Sequence, residues 1–210
     1  MSSTMNPYLL LTPGPLSTTP TVKEVMLRDW CTWDRDYNNI VQQIRAELVA
    51  LATPATGYTA VLMQGSGTFS VEATLTSAVP ATGKLLVLAN GAYGDRMGDI
   101  ARRIGLSLRI ENFGEIRPVD PQRVRQVLGE DPDITHVAVV HCETTTGMLN
   151  PVAAIGAVVK EFEKIYIVDA MSSFGGIPID MNALQADFLI SSANKCIQGG
   201  TGIRFCCCPH

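Results

Sequence analysis

Apolar positions along the chain fall into two kinds of run. Short continuous ones occupy residues 59–63, 84–89, 106–110, 135–141, 165–169 and 188–191, as in Leu85-Leu86-Val87-Leu88 and Val137-Ala138-Val139-Val140. Longer stretches between them carry helical spacing: residues 34–52, with Ile40, Ile44, Leu48 and Leu51 on one stripe, then 69–79, 93–104, 121–128 and 152–163. Residues 20–28 predict a further short helix. A strand that is apolar at every position has both faces covered, whereas a half-exposed one alternates. Such strands interleaved with helices predict an α/β three-layer sandwich with a mostly parallel sheet in the middle. Residues 6–16 predict an irregular segment, because Thr12-Pro13-Gly14-Pro15 is excluded from helix and strand interiors. No repeat, low-complexity tract or linker divides the chain. Residues 201–205 have the character of one more strand, and 206–210 fit no predicted element.

Composition narrows the class. The 210 residues are 46% hydrophobic and 17% charged, enough apolar material for a sizeable core. Sixteen Lys and Arg against twenty Asp and Glu give a net charge of −4, which argues against a nucleic-acid or anionic-membrane binder. No apolar run reaches the ~18 residues that span a bilayer. Leu9-Leu10-Leu11 has no basic segment before it and makes a poor secretory signal. The six cysteines (Cys31, Cys142, Cys196, Cys206, Cys207 and Cys208) are therefore expected to be reduced thiols in the cytoplasm. The ending Cys206-Cys207-Cys208-Pro209-His210 contains metal-ligating types, but adjacent cysteines in an extended segment point to opposite faces, so no metal site is expected.

Ligands of parallel α/β sheets bind beyond the carboxyl ends of the strands, and four such ends carry distinctive groups. Gly65-Ser66-Gly67-Thr68 lies between a strand and a helix; it reads either as an anion cup of amides and hydroxyls or as a tight turn. It lacks the third glycine of the dinucleotide fingerprint and the G-K-[ST] of a nucleotide P-loop. Asp169 closes Tyr166-Ile167-Val168-Asp169, where a carboxylate needs a partner; it reads as a counter-ion to a protonated heterocycle or as a loop anchor. Lys195, in Ser191-Ser192-Ala193-Asn194-Lys195, reads as a carbonyl-reactive amine or as a solvated surface residue. Tyr93 follows the second strand and can stack on a ring, and Glu143-Thr144-Thr145-Thr146-Gly147 presents hydroxyls after the fourth. Trp30 and Trp33 read as core or interface residues. Phosphate cup, stacking aromatic, pyridinium counter-ion and reactive lysine are together what pyridoxal 5'-phosphate requires.

These motifs, in this order, carry a resemblance. Thr12-Pro13-Gly14-Pro15, Gln64 to Thr68, Asn90-Gly91-Ala92-Tyr93-Gly94, the run from His141 to Pro151, that from Val168 to Gly176 and that from Ser191 to Gly199 resemble the 2-aminoethylphosphonate–pyruvate transaminases, class-V aminotransferases of PLP fold type I. The resemblance implies transfer of the amino group of 2-aminoethylphosphonate to pyruvate, giving phosphonoacetaldehyde and L-alanine in phosphonate catabolism. It implies a homodimer. By motif match Lys195 is the Schiff-base lysine and Asp169 the pyridinium partner. Ser66, Gly67 and Thr68 would hold the phosphate, Tyr93 would stack on the ring, and Thr144 or Thr145 would sit near its phenolic oxygen. Pro13 and Gly14 would line the substrate side. Residues 1–19 are then an N-terminal active-site loop segment and 20–210 a partial large domain, incomplete at its C-terminus, with the family's C-terminal small domain and its substrate-gripping arginine absent. The match weakens after Gly199. The alternatives are a non-catalytic cofactor-binding or dimerisation fragment and, as nearest enzyme rivals, a transferase of the alanine–glyoxylate or serine–pyruvate type or a cysteine desulfurase; a nicotinamide or nucleotide binder is a more distant rival.

Overall fold

The computed structural model describes residues 8–210; residues 1–7, the start of the expected N-terminal loop segment, lie outside the described residues. The elements follow as α1 (Pro20–Glu24), α2 (Arg35–Ala52), β1 (Tyr58–Gln64), α3 (Gly67–Ala78), β2 (Lys84–Ala89), α4 (Ala92–Arg103), β3 (Ser107–Asn112), α5 (Pro121–Glu130), β4 (His136–Val140), β5 (Cys142–Glu143), β6 (Met148–Leu149), α6 (Val152–Glu161), β7 (Ile165–Asp169), α7 (Met181–Leu184), β8 (Phe188–Ser192) and β9 (Ile203–Pro209). Seven strands form one sheet in the order β1-β9-β8-β7-β4-β2-β3, and β5 and β6 form a separate hairpin. The pairs from β8 to β3 are parallel, whereas β9 runs antiparallel to both neighbours.

Continuous apolar strands are used as expected. In β2, Leu85 and Val87 pack with Val71 and Leu75 of α3 and Met97 and Ile100 of α4. Leu86 and Leu88 point the other way, onto Val124 and Val127 of α5 and Ile155 and Val159 of α6. A third cluster joins Leu48 and Ala52 of α2 to Leu189, Phe205 and Cys207. The result is three layers, α3 and α4 on one face and α2, α5 and α6 on the other.

Four expectations change. Residues 20–28 divide into α1 and a 3₁₀ turn over Val25–Leu27. The α2 stripe is only partly inward: Leu48 is buried, but Ile40 and Leu51 are exposed, so one flank of this helix faces away from the core. Trp33, expected in the core or at an interface, is 91% exposed, which removes the core alternative. Residues 206–209, which fitted no predicted element, complete β9, and β9 lies inside the sheet between β1 and β8. Cys206 packs on the α3 side and Cys207 on the α2 side, as alternation along a strand requires.

Because β9 is antiparallel, it begins where its neighbours end. Arg204 pairs in register with Ser192 at the end of β8 and with Met63 near the end of β1. Strand ends and loops from five segments therefore meet at one edge of the sheet.

Candidate active site

Helix α3 starts at Gly67 because Ser66 caps it: the Ser66 hydroxyl accepts from the Phe69 N–H at 3.1 Å. The amides of Gly67 and Thr68 precede any intrahelical acceptor and remain available to an anion. Gly67 is held close to Met171; a Cβ there would lie 3.1 Å from the Met171 methyl.

Helix α4 starts through a different device. Gly91 is its N-cap and offers no side chain, and the buried Glu143 carboxylate supplies what is missing. Glu143 Oε2 accepts from the Tyr93 and Gly94 amides at 3.1 and 3.3 Å. A negative charge at a helix N-terminus is favoured by the dipole. This contact fixes Tyr93, whose ring has the Arg96 guanidinium 5.3 Å from its centroid.

Strand β7 ends at Asp169, which is only 4% exposed. One carboxylate oxygen accepts from the Met171 N–H at 2.8 Å. Burial pushes the carboxyl up to about 6, the Met171 amide opposes this, and the nearby Glu143 charge adds to it. Such a carboxyl gains most from a cationic or N–H-donating partner.

Strand β8 leads into the turn that carries Lys195, closed by Gln198 N–H to Lys195 O at 2.8 Å and Gly199 N–H to Ala193 O at 2.7 Å. Lys195 Nζ donates to the Gly14 carbonyl at 2.8 Å. Burial holds its pKa below the ordinary lysine value; the positive charge of Arg204 lowers it further, and Cys196 opposes this. Gly14 fits because it has no side chain: a Cβ there would meet Lys195 Cδ and come within 2.7 Å of the Asn194 carbonyl oxygen.

A cavity of about 190 Å³ brings these groups together. Gly67, Thr68, Tyr93, Asp169 and Lys195 all line it. Other expected residues sit elsewhere. Ser66 is used as the helix cap and does not line the cavity. Thr144 and Thr145 follow the β5 strand outside it, and the Thr145 hydroxyl donates to Glu143 Oε1 at 3.0 Å. Pro13 is exposed, and Gly14 contacts the lysine from outside the cavity lining.

Sequence reasoning missed Ser192, Asn194 and Arg204, which line the same cavity. Among the described residues, three buried side-chain polar atoms have no hydrogen-bond partner: Ser192 Oγ, Asn194 Oδ1 and Arg204 Nε. All three belong to this cavity. Unpartnered buried polar atoms are costly, and their collection in one place marks a ligand site. The available signal was the polar run 191–194 closing a buried strand and a lone arginine in an otherwise apolar one. The donor set fits pyridoxal phosphate: helix amides for its phosphate, an amine for its aldehyde, and a carboxylate for its ring nitrogen.

Comparison with known proteins gives the family. The chain is 68% identical over 200 residues to 2-aminoethylphosphonate–pyruvate transaminase from Syntrophobacter fumaroxidans, covering 95% of this chain and 54% of that protein. It is 59% identical over 201 residues to a bifunctional phosphonoacetaldehyde hydrolase/aminoethylphosphonate transaminase from Clostridioides difficile, covering 95% of this chain and 32% of that one. The chain thus spans about half the length, or less, of these curated relatives. Among solved structures, pyridoxamine–pyruvate aminotransferase from Mesorhizobium loti superposes with a TM-score of 0.86 at 29% identity, over 98% of this chain and 52% of that one. Alanine–glyoxylate aminotransferase from Nostoc sp. gives 0.88 at 28% identity, over 98% and 55%. The sequence profile described as Aminotransferase class-V matches residues 26–209, a span that takes in all of β9. With the profile covering most of its length, the chain belongs to the class-V aminotransferases.

Proposed function

We propose that this chain carries the cofactor-binding part of a pyridoxal-phosphate-dependent transaminase that moves the amino group of 2-aminoethylphosphonate to pyruvate, giving phosphonoacetaldehyde and L-alanine. The observation that carries this reading is the single cavity onto which Lys195, Asp169 and the start of α3 converge together with every unpartnered buried polar side-chain atom among the described residues. The names of the relatives favour the phosphonate substrate over serine or glyoxylate.

Each residue has a physical task. The Gly67 and Thr68 amides bind the phosphate at the positive end of α3. Tyr93, anchored by Glu143, would hold the ring by stacking. Asp169 would hold the cofactor's ring nitrogen, where its carboxylate would favour the protonated ring. Its burial makes that pairing strong, because no water competes. Bound pyridoxal phosphate supplies an aldehyde for the amino group and a ring that withdraws electrons from the substrate α-carbon. Lys195 Nζ, held below its ordinary pKa, is placed to take and return the α-carbon proton. The Gly14 carbonyl accepts from Nζ and orients it.

We further infer a homodimer in the cytoplasm. The support is a set of exposed apolar residues, Leu9, Leu11, Val25, Leu27 and Trp33, and six free cysteines. Among the described residues no helix is long and apolar enough to cross a membrane.

Absorbance titration with pyridoxal phosphate tests the cofactor reading: a shifted visible band is expected that Lys195→Ala abolishes. Comparing amino transfer to pyruvate from 2-aminoethylphosphonate and from serine tests the substrate. Equal or better use of serine would sink the phosphonate assignment.

A further inference from the structure

Arg204 is a buried cation without an anion. Its side chain is only 7% exposed and forms no ion pair among the described residues. One terminal nitrogen donates to the Ile203 carbonyl at 2.7 Å, while Nε–H has no acceptor. A buried guanidinium in that condition is expensive, since it gives up water without a compensating charge. Its position explains what would offset the cost. Arg204 stands opposite Ser192 in the β8–β9 register, and Ser192 Oγ is likewise unpartnered. Both line the cavity into which the first amides of the twelve-residue helix α3 open. A guanidinium fork, a hydroxyl and a helix N-terminus converge on one space, and no carboxylate among the cavity-lining residues other than Asp169 is present to neutralise it.

We propose that Arg204, with Ser192 Oγ, forms an anchor in this cavity for a tetrahedral phosphoryl or phosphonyl dianion. The proposal deepens the transaminase reading and rests on it for the two sources of such a group, the phosphate of the cofactor and the phosphonate of the amino donor. The guanidinium presents parallel N–H donors that match two oxygens of one tetrahedral group, and such charge-assisted bonds are about twice as strong as neutral ones. The same anchor places a second positive charge beside Lys195, so the site attracts an anion and disfavours an ammonium at Nζ.

The test compares the intact chain with Arg204→Gln and Arg204→Lys, using inorganic phosphate, pyridoxal phosphate, pyridoxal and 2-aminoethylphosphonate as separate probes in calorimetric titrations. Arg204→Gln is expected to weaken inorganic phosphate about tenfold, with Arg204→Lys recovering part of the loss. If the dianion is the cofactor's, pyridoxal phosphate weakens by a similar factor and pyridoxal does not. If it is the donor's, 2-aminoethylphosphonate weakens and pyridoxal phosphate does not. Unchanged binding of all three anions overturns the proposal. Should Arg204→Gln fail to fold, the unaltered chain decides: its Arg204 ¹⁵Nε–H resonance must move on titration with inorganic phosphate, and a stationary resonance refutes the anchor. The cofactor reading fails separately, by the absence of a Lys195-dependent absorbance band. Phosphate binding at Arg204 without that band would leave the anchor standing and remove the transaminase assignment.

Discussion

At the scale of single residues, Asp169 ties stability to function with opposite signs. Its carboxyl is held at about 6 in the folded chain, against 3.8 for the free group. The folded state thus binds this proton more tightly than the unfolded state. The group favours folding below about pH 4, and that contribution is lost as pH rises through about 6. His136 and His141 act in the other direction, since burial lowers both and resists their protonation as pH falls. Comparing wild type with Asp169→Asn isolates the carboxyl. Without cofactor, the variant should be more stable at pH 7 by about 3 kcal/mol, an advantage that fades towards pH 4. Urea midpoints at the two pH values check this. The same variant should hold pyridoxal phosphate more weakly, because a neutral amide does not keep the ring nitrogen protonated. A stability difference that ignores pH would show that Asp169 is not the buried acid described here. Gly156 carries a second residue-scale expectation. A Cβ there would collide with the Leu184 carbonyl oxygen and lie 3.1 Å from the Tyr166 ring. Gly156→Ala should therefore cost about 1–3 kcal/mol by overpacking, read from the denaturation midpoint.

At the scale of elements, the start of α4 depends on a side chain fifty residues away in sequence. Glu143 satisfies two amides of its first turn, and Gly91 leaves room for it, since a Cβ at Gly91 would come within 2.6 Å of Glu143 Cδ. Glu143→Ala should cost about 2–4 kcal/mol, two buried amides losing a charged acceptor. It should also loosen Tyr93 and weaken cofactor binding; full retention of both properties would show that the helix is capped otherwise. Strand β9 is the other decisive element. It pairs with β1 over residues 203–209 and with β8 over residues 204–207, and it brings Phe205 against Phe174 with ring centroids 5.2 Å apart. Deleting residues 203–210 would expose two strand edges and unseat Phe205, Cys206 and Cys207 from the core. Loss of a cooperative thermal transition is the expected outcome.

At the scale of the whole molecule, the exposed apolar set from Leu9 to Trp33 and the outward flank of α2 should be covered by a second copy. Sedimentation should give a dimer, and replacing Leu9, Leu11 and Leu27 together with serine should shift the population towards monomer without altering the circular dichroism of the fold. A monomer for the unaltered chain would refute that assignment.

The order of strands and helices, the three layers and the parallel character of the sheet were legible in the sequence. Runs such as Leu85 to Leu88 leave no polar face, so burial on both sides follows from composition alone. Gly67, Thr68, Tyr93, Asp169 and Lys195 were legible for a related reason: each follows the carboxyl end of a predicted strand, where parallel sheets gather their chemistry. For Ser66 the local sequence does not reveal that its oxygen caps α3; the hydroxyl accepts from Phe69 N–H and keeps its own O–H donor. Thr144 and Thr145 lie outside the cavity lining, their neighbour Glu143 being the one that turns inward to α4. What only the tertiary structure decided was long-range pairing. Strand β9 returns between β1 and β8, and its antiparallel direction delivers Arg204, at its start, to the cavity where the neighbouring strands end. The physical reason is that hydrophobic periodicity is set by which faces are covered, a local property. The identity of the covering partner, and the direction in which a strand runs, are settled only when the whole chain closes its hydrogen bonds at once.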